Sequence, residues 1–210
     1  MIAKAQKVTE ILENLYPNPK CGLDWGGSDP FKLLIMAILS AQCKDERVNL
    51  VSKSLFNRFP NVNAMANAEI FEIEEEIRSL GLYHSKAVAL KECSQRIVDV
   101  YGGNIPKEMK ELLTLRGVGR KVANLIRGDL FGLGGIVADT HCIRISGRLG
   151  FSNGKCPLRT EKDLSLLIPL EKQSDFCHRI VLFGREICDA RCPKCEICPL
   201  IEYCNYGKDL

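Results

Sequence analysis

The sequence predicts an all-α protein. Apolar residues recur three and four positions apart through most of the 210-residue chain, the period of one face of an α-helix. No run of strict apolar–polar alternation persists, so no strand is expected. Between the periodic segments lie short stretches rich in Gly, Pro, Asn and Asp, the residues that end helices and build turns.

The first helix spans Met1 to Leu15, with Val8, Ile11, Leu12 and Leu15 on one face. It carries lysines but no long apolar segment, so it does not read as a signal peptide. Residues 17–30 are loop. Ser28-Asp29-Pro30 then opens a helix with a capping side chain and an early proline. Phe31 to Leu39 is apolar nearly all round and reads as a central core helix; it falls far short of the ~20 residues that span a bilayer. It ends in Ser40-Ala41-Gln42-Cys43-Lys44-Asp45, where Gln42 is a polar helix end and Asp45 a cap for the next helix, Glu46 to Phe59. The acidic residues 67–80 form a solvated helix face. Gly81-Leu82-Tyr83-His84-Ser85-Lys86 turns into another helix, whose core face is Leu90, Cys93, Ile97 and Val100. Helices follow from Asp139 to about Leu149 and near 160–168 and 173–184.

One stretch organises the rest. Met109, Leu112 and Leu113 precede Gly117, and Val122, Leu125, Ile126 and Leu130 follow Gly119, all at helical spacing. Two helices are thus joined by a tight turn whose glycines can take positive φ. Such a hairpin offers the backbone N–H groups of Gly117, Val118 and Gly119 at the positive end of a helix, an anion site flanked by Arg116 and Arg120. Lys121 sits in the first turn of the second helix, where the dipole and Arg120 disfavour a cation, the setting that makes an amine nucleophilic. It can equally serve as a phosphate contact. Asp139 is either an ordinary N-cap or a carboxylate partner of Lys121, and local spacing does not separate the two.

A hydrophobic content of 46% and a charged content of 26% describe a soluble globular chain. The net charge of +3 is mild, but residues 110–150 carry seven Lys and Arg against three acids. The basic excess therefore lies where the hairpin lies. Eleven cysteines without a secretion signal point to the reducing cytoplasm, and so to thiols or metal ligands rather than disulfides. Five of them, Cys188, Cys192, Cys195, Cys198 and Cys204, crowd the tail. Four thiolates suit structural zinc or a [4Fe–4S] cluster, and spacing alone leaves five candidates for four places.

Leu115-Arg116-Gly117-Val118-Gly119-Arg120-Lys121-Val122-Ala123, followed by Val137-Ala138-Asp139-Thr140-His141, resembles the signature of the endonuclease III family. These are bifunctional DNA glycosylases of the helix-hairpin-helix/Gly-Pro-Asp superfamily. The match extends to Leu39-Ser40-Ala41-Gln42, to the turn at Gly81–Lys86 and to the cysteine tail, so it covers nearly the whole chain. One departure is visible: the loop before Asp139 reads Phe131-Gly132-Leu133-Gly134-Gly135 and has no proline.

The resemblance implies a six-helix, barrel-like domain over 22–132 that bears the hairpin. It also implies a smaller helical iron–sulfur domain made of 1–21 and 133–210, with the active site between the two. Lys121 would be the nucleophile and Asp139 its carboxylate partner. Gln42 would enter the duplex where the damaged base has left, and Leu82 would wedge into the base stack. Gly117, Val118, Gly119, Arg120, His141, Arg191 and Lys194 would contact DNA. The family's cysteine pattern selects Cys188, Cys195, Cys198 and Cys204 as ligands of a [4Fe–4S] cluster and passes over Cys192. The implied activity is excision of oxidised pyrimidines from damaged double-stranded DNA, with strand cleavage 3′ to the lesion, by a monomer. The alternative from another class is a non-catalytic helix-hairpin-helix protein that binds DNA and carries the cluster.

Overall fold

The structure is a computed structural model and describes residues 1–207. Among them there is no strand, and no helix is long and apolar enough to cross a membrane. The chain divides into two compact units. One, here the hairpin unit, is residues 21–130; the other, the terminal unit, joins residues 1–20 to the chain from Phe131 onward.

The hairpin unit begins with α2 (Pro30–Leu39), following α1 (Ile2–Leu15) of the terminal unit. Asp29 caps α2 by accepting the N–H groups of Phe31 and Lys32 at 3.1 and 3.2 Å, and Pro30 sets its first φ. Every residue from Leu33 to Leu39 is buried, as an all-round apolar helix requires. α3 (Asp45–Arg58) and α6 (Tyr83–Tyr101) pack on it, and α4 (Val62–Asn67) and α5 (Ile70–Ile77) pack on α6. The short α4 has no apolar period of its own; it forms because Asn61 caps Ala64 and because it packs on α6.

The acidic face of α5 is held to its neighbour as well as solvated. Arg58 at the end of α3 reaches Glu72 at 2.9 Å, Glu75 at 3.0 Å and Glu76 at 3.5 Å. Asp45 proves to be the first residue of α3 rather than its cap, which is Lys44. Val100, expected in the core, is exposed, whereas Leu90, Cys93 and Ile97 of the same helix are buried.

The hairpin itself is α7 (Met109–Leu112) and α8 (Arg120–Phe131). Leu112, Leu115, Ala123 and Ile126 are buried, whereas Leu113 is exposed.

In the terminal unit, α1 packs with α9 (Thr140–Arg148), α10 (Pro157–Leu167) and α11 (Gln173–Glu186) through neighbouring contacts. Their core gathers Val8, Leu12, Ile145, Leu164, Phe176, Ile180 and Phe183. Burying a set of this kind stabilises by roughly 1.5–3 kcal/mol per large side chain before entropy is charged. Arg179, itself buried, donates to the Tyr16 carbonyl at 3.0 Å, and Lys172 pairs with Glu13 at 2.9 Å. These contacts fasten the two ends of the sequence into one unit. Leu15, expected on the core face of α1, is exposed as its last residue.

Candidate functional site

The turn between α7 and α8 is anchored before it presents anything. Arg96 of α6 donates to Thr114 Oγ1 at 2.9 Å, and Thr114 donates to the Glu111 carbonyl at 2.7 Å. Gly117 takes φ +81°, and a Cβ there would stand 2.9 Å from Ile38 Cγ2 and 3.3 Å from Ala89 Cβ. Gly117 is required twice over, for its backbone and for lack of space.

Gly119 differs from expectation. Its φ is not positive, and nothing lies within 4 Å of a Cβ added there. It acts as the helix cap, its carbonyl accepting the Ala123 N–H at 2.9 Å. Val118 differs too. Its side chain is buried and its N–H is spent on the Leu115 carbonyl at 3.1 Å, so it is a packing residue and offers no donor to an anion. Among the described residues the N–H groups of Gly117 and Gly119 have no such partner. Arg116 is taken by Glu92 at 2.6 Å. Arg120 and Lys121 are exposed at the start of α8, in its first turn.

Gln42 and Leu82 share a rare property. They are the only non-glycine residues with positive φ among the described residues, at 53° and 61°. Left-handed backbone costs an L-residue roughly 1–2 kcal/mol. Gln42 sits in the turn closing α2, with Cys43 N–H bonded to the Ser40 carbonyl at 3.1 Å. Leu82 is the residue before α6, and 57% of its surface is exposed. An exposed leucine in a costly conformation is not explained by packing. Lys86, one turn into α6, is only 5% exposed, and its ammonium has no hydrogen-bond partner.

Asp139 belongs to the terminal unit. It caps α9, accepting the Cys142 N–H at 2.7 Å. His141 accepts from Arg144 at Nδ1, 3.1 Å away, which leaves the ring hydrogen of a neutral imidazole on Nε2. Gly184 of α11 leaves the room they need: a Cβ there would meet His141 and Arg144 within 3 Å.

Beyond α11 the tail folds back on itself through short 3₁₀ turns at Cys195–Ile197 and Ile201–Tyr203. Cys188, Cys195, Cys198 and Cys204 line one cavity with Arg148, Ile187, Lys194 and Tyr206. Cys192 is exposed and lies outside that lining. Asp189 accepts the Arg191 and Cys192 N–H groups at 2.8 and 3.1 Å, and these bonds hold its carboxyl below its usual range. Burial, then the neighbouring thiols, push the thiols of Cys195 and Cys198 up.

Arg148 of α9 fastens this loop, a role with no local signature in the chain. It donates to Cys188 Sγ at 3.1 Å and to the Asp189 and Ala190 carbonyls at 2.7 and 3.0 Å. Its guanidinium also stacks 4.4 Å from the centre of the Tyr206 ring. Arg191 and Lys194 remain exposed on the loop so formed.

The site is thus made of a helical hairpin turned by glycine, two exposed side chains in left-handed backbone and a cysteine-rich tail. Residues 35–169 match the HhH-GPD superfamily base excision DNA repair protein family. The chain is 44% identical to the endonuclease III of a Synechocystis strain over 97% of its own length and 94% of the relative's. Against that of Bacillus subtilis it is 39% identical over 93% and 89%. A solved non-covalent endonuclease III–DNA complex superposes with a TM-score of 0.93 at 38% identity, covering 100% of this chain and 97% of the other. A trapped endonuclease III–DNA covalent intermediate gives 0.90 at 38% identity over 98% and 97%. The chain belongs to the endonuclease III family within the HhH-GPD superfamily.

Proposed function

We propose that the protein excises oxidised pyrimidines from duplex DNA and cuts the strand at the resulting abasic site. The observation that carries this reading is the pair Gln42 and Leu82. A fold retains strained, exposed side chains where they act, and a duplex emptied of one nucleotide needs a polar filler and an apolar wedge.

The target C1′ is out of reach inside stacked DNA, so the nucleotide is extruded first. Gln42 then occupies the vacated place, and Leu82 enters the adjoining step. The anion-binding start of α8, with Gly117, Gly119 and Arg120, holds the backbone, together with His141, Arg191 and Lys194. The Lys121 amine nitrogen attacks C1′, and the base departs with the electrons of the glycosidic bond. Asp139 accepts the proton the new bond releases. Opening of the sugar ring gives a Schiff base on Lys121. Loss of a proton from C2′ expels the 3′ phosphate and breaks the strand, and water then frees the lysine.

We also assign a [4Fe–4S] cluster to Cys188, Cys195, Cys198 and Cys204. Among the described residues no three of these sulfurs lie within 4.8 Å of one another. A single tetrahedral zinc would draw them to roughly 3.8 Å, whereas a cubane of four irons is bound by cysteines spaced further apart. Burial and neighbouring thiols hold Cys195 and Cys198 against ionisation, and a bound metal cation would compensate their thiolates. When bound, the cluster supplies a cross-link that shapes the loop carrying Arg191 and Lys194. We take residues 21–130 as the hairpin domain and the terminal unit as the cluster-bearing one. On this reading the protein acts as a cytoplasmic monomer, associated with the nucleoid if its host is bacterial.

The test is borohydride trapping on a duplex bearing one thymine glycol. A covalent adduct with the wild type, lost in Lys121→Gln with duplex binding retained, is the expected result. Asp139→Asn should slow base release by about 10²–10⁴-fold. No adduct from a wild type that binds the duplex would leave the non-catalytic DNA-binding reading.

A further inference from the structure

The loop that delivers Asp139 lacks a proline and contains three glycines with positive φ, Gly132, Gly134 and Gly135. On its own such a segment would be among the least rigid in the chain. Yet a carboxylate that takes a proton must be held to within a fraction of an ångström. The structure shows what holds it.

Gln173, the first residue of α11, is only 6% exposed and is bonded at both ends. Its Oε1 accepts the Gly135 N–H at 2.9 Å, and its Nε2 donates to the Ile168 carbonyl at 3.1 Å. One helical turn further on, Cys177 Sγ accepts the Val137 N–H at 3.2 Å, and this neighbouring thiol, with burial, pushes that of Cys142 up. Cys142 in turn gives its N–H to Asp139. Residues 173 and 177 thus lie on one face of α11, at the spacing that meets alternate N–H groups of the loop. The loop comes close enough for this because Gly134 has no side chain: a Cβ there would stand 2.8 Å from Leu170 Cγ and 2.9 Å from the Leu170 carbonyl.

We propose that Gln173, seconded by Cys177, is a positioning residue for Asp139, supplying from α11 the rigidity that a proline would have built into the loop. The inference rests on the catalytic reading of Asp139. A side-chain amide suits the task because it accepts from one backbone group and donates to another. Methionine has a similar length and does neither well.

The experiment measures single-turnover base release by the full chain on the thymine glycol duplex, for wild type, Gln173→Met, Asp139→Asn and the double variant. Gln173→Met should lose roughly ten- to a hundredfold in rate, with duplex Kd unchanged. In the Asp139→Asn background it should cost nothing further, because the group it positions is gone. An equal loss in both backgrounds, or a wild-type rate, overturns the proposal. Amide exchange on the wild type covers the case in which Gln173→Met does not fold. The Gly135 and Val137 amides should exchange as slowly as those of α9, and loop-like exchange overturns the clamp. A wild type that traps no DNA defeats the catalytic reading instead, and the exchange result tells the two failures apart.

Discussion

On the proposed reading, Leu82 and Gln42 set function against stability within single residues. Glycine at either place would remove the left-handed penalty of roughly 1–2 kcal/mol and give back about 0.5–1 kcal/mol in chain entropy. Leu82→Gly should therefore unfold at the same denaturant midpoint or slightly higher, while base release slows for want of the wedge. A clear loss of stability would make Leu82 a packing residue after all. Lys86 is the opposite case, a buried ammonium without a partner. Burial pushes its pKa below the usual 10.5, with Cys43 offsetting only part. A depressed lysine gives its full stability only above 10.5 and loses it as pH falls through the folded value. Lys86→Met should thus stabilise the protein at pH 7 by about 1 kcal/mol, and the gain in Tm should shrink as pH is raised toward 10.5. A gain that did not change with pH would exclude charge burial as its cause.

At the scale of the element, the hairpin shows how two glycines in one motif do different work. Gly117 is fixed by its positive φ and by Ile38 and Ala89, so Gly117→Ala should cost about 2–3 kcal/mol in denaturant unfolding. Gly119 caps α8 from an ordinary backbone conformation in open space, and Gly119→Ala should cost less than about 1 kcal/mol. Equal losses would mean that the turn demands glycine at both places. The helices themselves were legible because their signals are local. Asp29-Pro30 marks a start, and the run from Phe31 to Leu39 marks a core helix. What the sequence did not disclose at this scale was α4, whose stability comes from α6, and the role of Val118, whose N–H is spent inside its own turn.

At the scale of the whole molecule, the proposed reading gives the cysteine-rich tail a part in holding DNA. The loop bearing Arg191 and Lys194 is tied at one side by Arg148 and, on the proposed reading, at the other by the cluster. Cys198→Ala should lose bound iron and weaken duplex affinity, while base release at saturating DNA stays near wild type. The slope of log K against log salt should fall by about one for each cation the loop no longer positions. An unchanged slope with the iron gone would separate this loop from DNA.

The sequence by itself determined the helical class, the hairpin and its lysine, and the spacing of the tail cysteines. Each depends on residues within a turn or two of one another, so it is written in local order. Only the tertiary structure decided which of these residues are spent and which are available. Arg116 is neutralised by Glu92, 24 positions away. Arg148 grips Cys188 at a separation of 40, and Gln173 grips Gly135 at 38. Such pairs carry no period or motif, because they form where separate helices pack and bring distant backbone groups within hydrogen-bond reach. The backbone of Gln42 and Leu82 belongs with them: side chains that disfavour positive φ adopt it only where the surrounding fold imposes it.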